Sequence, residues 1–204
     1  MKKFTLYILT AFGLMGLATS CNDFGDVNND PMNLNPGVVD YKMEFTQVEA
    51  QICGSDWDVW RNGCIYTANM IQHTASVDWA YGVFYTWNDQ YSGAYWGGFY
   101  SGGRAAIRNI IDVMNNWEGN PAYANEYQMC RILKAYMFQN MTDLYGDVPY
   151  SEAGQGYSTN PIPYPKYDTQ EASYNDLLKE LDEAQAALST PAGNTIGAAD
   201  VIYN

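Results

Sequence analysis

The sequence predicts an all-α fold of antiparallel helix pairs, joined by long aromatic-rich and Gly/Pro-rich loops. Three observations predict it. Apolar residues recur at three- and four-residue steps in widely separated stretches, the signature of one buried helix face. Helix breakers stop these stretches, first "EGNP" (118–121) and later Pro191 with Gly193. Between 146 and 165, three glycines and four prolines read as a long ordered loop and not as a further helix.

The first twenty residues read as a device, not as part of the fold. Lys2 and Lys3 supply a short basic start, and Phe4 to Ala18 is nearly all apolar. That run falls short of the ~20 apolar residues of a comfortable membrane span, but it suits the core of a secretory signal. Ala18-Thr19-Ser20 is followed directly by Cys21. The junction resembles a bacterial lipobox, with Ala18 where leucine is commoner. The resemblance implies that the Cys21 thiol takes a diacylglycerol and its freed amine an acyl chain. Each buried CH₂ contributes about 0.8 kcal/mol and stable anchoring needs more than one chain, a requirement that a triacylated cysteine meets. Residues 1–20 are thus expected to be a lipoprotein signal peptide. Residues 21–36, rich in Asn, Asp and Pro with no apolar period, are expected to be an extended tether, and 37–204 a helical domain.

The domain opens on Asn35-Pro36, which reads as a cap and a first helical residue. Val38, Tyr41, Phe45, Val48 and Ile52 then form one amphipathic face. A second helix is expected over about residues 59–75. From Trp79 the pattern changes: Trp79, Tyr81, Val83, Tyr85 and Trp87 alternate, as on one side of an extended segment. Tyr91, Tyr95 and Phe99 step by four, and one helix is expected from about Trp96 through "RAAIRNIIDVMNNW". Its partner runs from about Pro121 to Leu144. The last helix has Asp168 and Glu171 in a capping-box relation, with Tyr174, Leu177, Leu178, Leu181, Ala184 and Leu188 as its stripe.

Charge narrows the function. The chain carries a formal charge of −13, and loss of Lys2 and Lys3 with the signal makes it −15. Such a surface repels phosphate backbones, so nucleic acid is excluded as a partner. Only 16% of residues are charged, yet 18 are tyrosines, whose flat face and polar tip suit binding surfaces. Cys53, Cys64 and Cys130 make an odd set besides Cys21, and a Cys53–Cys64 bridge stays open. No C-x-x-C is present and His73 is the only histidine, so neither a metal nor a cofactor is expected.

The segment "ILKAYMFQNMTDLYGDVPYSEA" (132–153) resembles the signature of the SusD/RagB family of outer-membrane lipoproteins, a helix ending in a D-x-Y-G-D-V-P-Y turn. "DFGDVNNDPMNLNP", "YWGGFYSGGRAAIRNI" and "AADVIYN" are similar to the family in the same order. The resemblance implies tetratricopeptide-like helix pairs. It also implies the capture of glycans or other nutrients at the surface of Bacteroidetes-type bacteria, as the lid of a SusC/RagA-like TonB-dependent transporter. Family members run to more than twice this length, so the chain is expected to be the N-terminal part of a SusD-like fold.

Trp79, Tyr81, Tyr85 and Trp87 are the expected ligand-binding residues. A sugar ring's C–H face covers ~80 Å² of indole or phenol, about 2 kcal/mol at ~25 cal/mol per Å². Two or three such contacts, less ordering costs, give dissociation constants of roughly micromolar to millimolar. Asp143 and Asp147 are expected to hold the family turn by accepting from exposed backbone N–H groups. The alternative is that they and Glu152 act as paired carboxylates for glycoside hydrolysis, and no catalytic residue is assigned. A tethered scaffold that binds only protein, and a surface glycosidase, are the alternatives.

Overall fold

The computed structural model describes residues 39–52, 54–101, 105–157, 160–189 and 193–202. The chain divides into two units, Met1–Val39 and Asp40–Asn204, and every described residue except Val39 belongs to the second. The signal peptide, the tether, Cys21, Pro36, Cys53 and Pro191 lie outside the described residues.

Helix α1 is Tyr41–Gln51. It starts later than Asn35-Pro36 suggests, because Asp40 supplies the cap: its carboxylate accepts the Lys42 N–H at 3.0 Å. A cap of this kind satisfies one of the N–H groups that a first helical turn leaves unpaired. Phe45 and Val48 are fully buried, as the apolar stripe requires. Helix α2 is the stretch 56–70, whose middle, Val59–Thr67, is wound as a π-helix. It stops at Met70, short of residue 75, and Gln72 just beyond takes a left-handed φ of 60°.

Helices α3 (Asp89–Ser92), α4 (Ala94–Tyr100) and α5 (Ala106–Trp117) follow. The single helix expected from Trp96 to Trp117 is therefore two. Ser101 is extended and Ala105 is left-handed at φ 37°, so the helix cannot run through. The sequence there is Ser-Gly-Gly, and each glycine costs a helix about 1 kcal/mol relative to alanine. Helix α6 (Ala124–Tyr145) and helix α7 (Gln170–Ala187) are the longest elements among the described residues. Thr169, not Asp168, caps α7, accepting the Ala172 N–H at 3.2 Å. Asp168 is drawn away, since its carboxylate accepts both the N–H and the hydroxyl of Ser151 at 2.7 Å.

Helices α6 and α7 run antiparallel. Asn125, near the start of α6, bonds Ser189 beyond the end of α7, and Arg131 bridges Glu180 and Glu183 at 2.6 Å each. Near the other end, Asp143 accepts from the Tyr174 hydroxyl and Thr142 from the Gln170 side chain. Helices α1, α4, α5, α6 and α7 share one core, with Phe45, Phe99, Ile110, Val113, Met137, Phe138, Met141 and Leu177 buried together. Among the described residues there is no strand, only one antiparallel bridge, Val148 with Asp168. That bridge clips the long loop after α6 back onto the start of α7.

Candidate functional site

Aromatic rings form a connected surface on α2 and the chain that follows it. Trp60 sits at its centre, edge-on to Trp57 at 5.5 Å, to Trp79 at 5.2 Å and to Tyr91 at 6.0 Å. Tyr91 meets Tyr81 at 5.4 Å, and Tyr81 stacks on Tyr66 at 6.4 Å. The Arg61 guanidinium lies over both Trp57 and Tyr91, 5.7 and 5.8 Å from their centroids. Such contacts hold rings at fixed angles through their quadrupoles, so the surface is built before any ligand arrives.

The four residues expected from sequence are not on one side of an extended segment. Trp79 and Tyr85 both have left-handed backbones, at φ 49° and 53°, and residues 79–85 turn repeatedly. A strand would need a neighbour for its N–H and C=O groups, and none is present among the described residues. The turns instead close on themselves: Thr86 N–H reaches Tyr81 O at 2.8 Å, and the Tyr85 hydroxyl donates to Met70 O at 2.9 Å. Trp79 and Tyr81 join the ring network, Tyr85 is pinned to the end of α2, and the Trp87 indole N–H donates to Asp89. Trp79, Tyr85 and Trp87 remain 50%, 63% and 72% exposed.

Sequence reasoning missed Trp57, Trp60, Tyr91 and Arg61 at this surface. A signal existed, because Trp57 and Trp60 stand three residues apart on one helical face with Arg61 beside them. Trp57 is 63% exposed and Phe84 71%, and exposed rings at this density mark an interaction surface.

The turn after α6 is built for structure. Gly146 takes φ 75°, ψ −119°, a mirror-image extended conformation open in practice only to glycine and not the left-handed cap of an ordinary helix end. Tyr145 accepts the Trp96 N–H at 3.1 Å and donates to Ser92 O at 2.7 Å. Tyr150 stands edge-on to Phe138 and donates to Asp176 at 2.6 Å. Burial first, then the Asp176 carboxylate, pushes its phenol far above the usual range. Asp147 accepts the Gln170 N–H and Glu152 the Lys166 N–H, each at 2.9 Å, and Asp143 accepts from Tyr174. Asp147 and Glu152 are thus engaged in holding the loop, and Asp143 in joining α6 to α7.

A family model described as "Starch-binding associating with outer membrane" matches residues 38–204. The chain belongs to the SusD-like family. Two solved structures are similar to it. A "chitin-binding protein" is 31% identical with a TM-score of 0.69, over 81% of this chain and 34% of that one. A "Bacteroidetes AC2a SusD-like" protein is 29% identical with a TM-score of 0.60, over 74% of this chain and 27% of the other. The SusD-like chain described here therefore spans about a third of the first structure's length and less of the second's. No curated protein matches it. Its all-α architecture is that of the matched part of these SusD-like folds.

Proposed function

We propose that this SusD-like chain is the helical part of a surface binding lipoprotein. It captures an oligosaccharide on its aromatic surface and delivers it to a SusC/RagA-like TonB-dependent transporter. Lipidated Cys21, behind the signal peptide 1–20 and the tether 21–36, holds it to the outer membrane at the cell surface. The observation that carries this reading is the fixed array around Trp60, in which Trp57 and Trp79 are each at least half exposed, with the exposed Trp87 close by in sequence. Exposed rings held at fixed angles suit the C–H faces of sugars, and the acidic chain turns away polyanions. No hydrolysis is assigned, because Asp147 and Glu152 accept hydrogen bonds that hold the loop and Asp143 one that joins α6 to α7.

Calorimetric titration with chito- and malto-oligosaccharides tests the reading. Trp79→Ala and Trp87→Ala, made separately, are expected to weaken binding by about 1–2 kcal/mol each, the size of one stacking contact. Neither should unfold the protein, since both rings are at least half exposed. Melting temperatures reduced as far as a core truncation would reduce them, with unchanged sugar affinity, would refute it. Capture of protein alone, with no sugar bound, would favour the scaffold reading.

A further inference from the structure

The loop after α6 and the face of α4 enclose a groove of about 580 Å³, within the roughly 300–1,000 Å³ of small-ligand sites. None of the rings around Trp60 lines it. Trp96 and Tyr100 are partly buried and form its floor. Tyr167 lies at 18° to the Trp96 ring with centroids 6.1 Å apart, and Tyr164 stands at the rim, 91% exposed. Arg108 and Glu152 add one charge of each sign.

The walls are pre-built. Val148 and Asp168 exchange backbone bonds at 3.2 and 3.0 Å, and the Ile162 N–H donates to Gln155 O at 3.2 Å. The Tyr100 hydroxyl ties the floor to Pro149 O at 2.7 Å. Gly154, at φ 71°, lets the loop approach α5 so closely that a Cβ would sit 2.6 Å from Ile111 Cδ1. A loop fixed in this way, carrying tyrosines whose rings the core does not use, offers surface at little ordering cost.

We propose that this groove is a second carbohydrate subsite, taking neutral pyranose rings of an oligosaccharide on the exposed rings of Tyr164 and Tyr167, above the floor of Trp96 and Tyr100. It rests on the oligosaccharide-binding reading above. The aromatic faces take the C–H side of a ring, and Arg108 and Gln155 line the groove beside them as polar groups for hydroxyls. Anionic sugars are disfavoured. The Arg108 guanidinium already donates to Asn109 at 2.9 Å and faces Glu44 and Asp112, while Glu152 adds a negative charge to the groove.

The test is an NMR titration of the ¹⁵N-labelled chain with chitohexaose and with maltohexaose. At least one sugar is expected to shift the amides of 152–156 and 162–167 as well as those around Trp79 and Trp87. The double variant Tyr164→Ala/Tyr167→Ala removes exposed rings, so its melting temperature should hold. It should weaken the first set about tenfold, ~1.4 kcal/mol, and leave the second unchanged. Trp79→Ala/Trp87→Ala should do the reverse. Shifts confined to the Trp79 and Trp87 region would overturn the groove and leave the binding function standing. Occupation of the groove by a proline-rich peptide but by neither sugar would also overturn it. No shift anywhere with either sugar would overturn both readings.

Discussion

Replacing Glu49 with glutamine is expected to stabilise the protein above pH 7 and to change little at pH 5. Glu49 lies on α1, only 5% exposed, and accepts the Val201 N–H at 2.9 Å. The fully buried Asp200 stands beside it, held by the Asn194 side chain at 3.0 Å and the Ile202 N–H at 3.1 Å. Burial is the main force that raises the Glu49 carboxyl from 4.5 to about 7, with the negative charge of Asp200 adding to it against the Val201 N–H. The fold thus prefers the protonated acid. Its contribution is fully present below about pH 4.5 and is lost as pH rises through about 7. At about 1.36 kcal/mol per pH unit, the interval amounts to roughly 3 kcal/mol at most. Glu49 also borders an apolar cavity of about 410 Å³ with Leu188 and Ile202. Solvent reaching that cavity screens the charge and leaves about 1–2 kcal/mol.

Glutamine mimics the protonated acid, keeping the acceptor for Val201 and offering an N–H to Asp200. For a chain of this size, about 2–4 °C per kcal/mol gives the variant roughly 2–8 °C of added melting temperature at pH 8.5. Thermal melts of both proteins at pH 5 and 8.5 measure it as a double difference, which cancels the titration of every other acid. An equal difference at the two pH values would refute the reasoning.

Three further outcomes are expected. Gly146→Val should cost about 1–3 kcal/mol through backbone strain alone, since a Cβ there meets nothing within 4 Å, and an unchanged chemical-denaturation midpoint would contradict the geometry. Thr169→Ala should cost about 1 kcal/mol by removing the cap of α7, measured by the same unfolding curve. Cys21→Ala should send the protein from the membrane to the soluble fraction with its helicity intact, and continued detergent partitioning would argue against the anchor.

Signals that act over a few residues were legible in the sequence. The stripes of α1 and α7 placed those helices, the EGNP break placed the start of α6, and the Gly/Pro content of 146–165 placed the loop, because helix periodicity and breakers are local properties. The D-x-Y-G-D-V-P-Y turn marked the SusD-like family before any coordinates. Caps were less legible. Asp168 and Thr169 compete for the same helix end, and only the distant Ser151 N–H and hydroxyl decide which side chain is free to cap. The alternation of Trp79 to Trp87 misled for a related reason. Period two describes a strand only when a neighbouring strand satisfies its backbone, and here turns satisfy it instead. The tertiary structure alone decided which rings meet. Trp60 joins Trp79 and Tyr91, and Trp96 faces Tyr167 across 71 residues of chain, because packing brings together side chains that no local pattern relates.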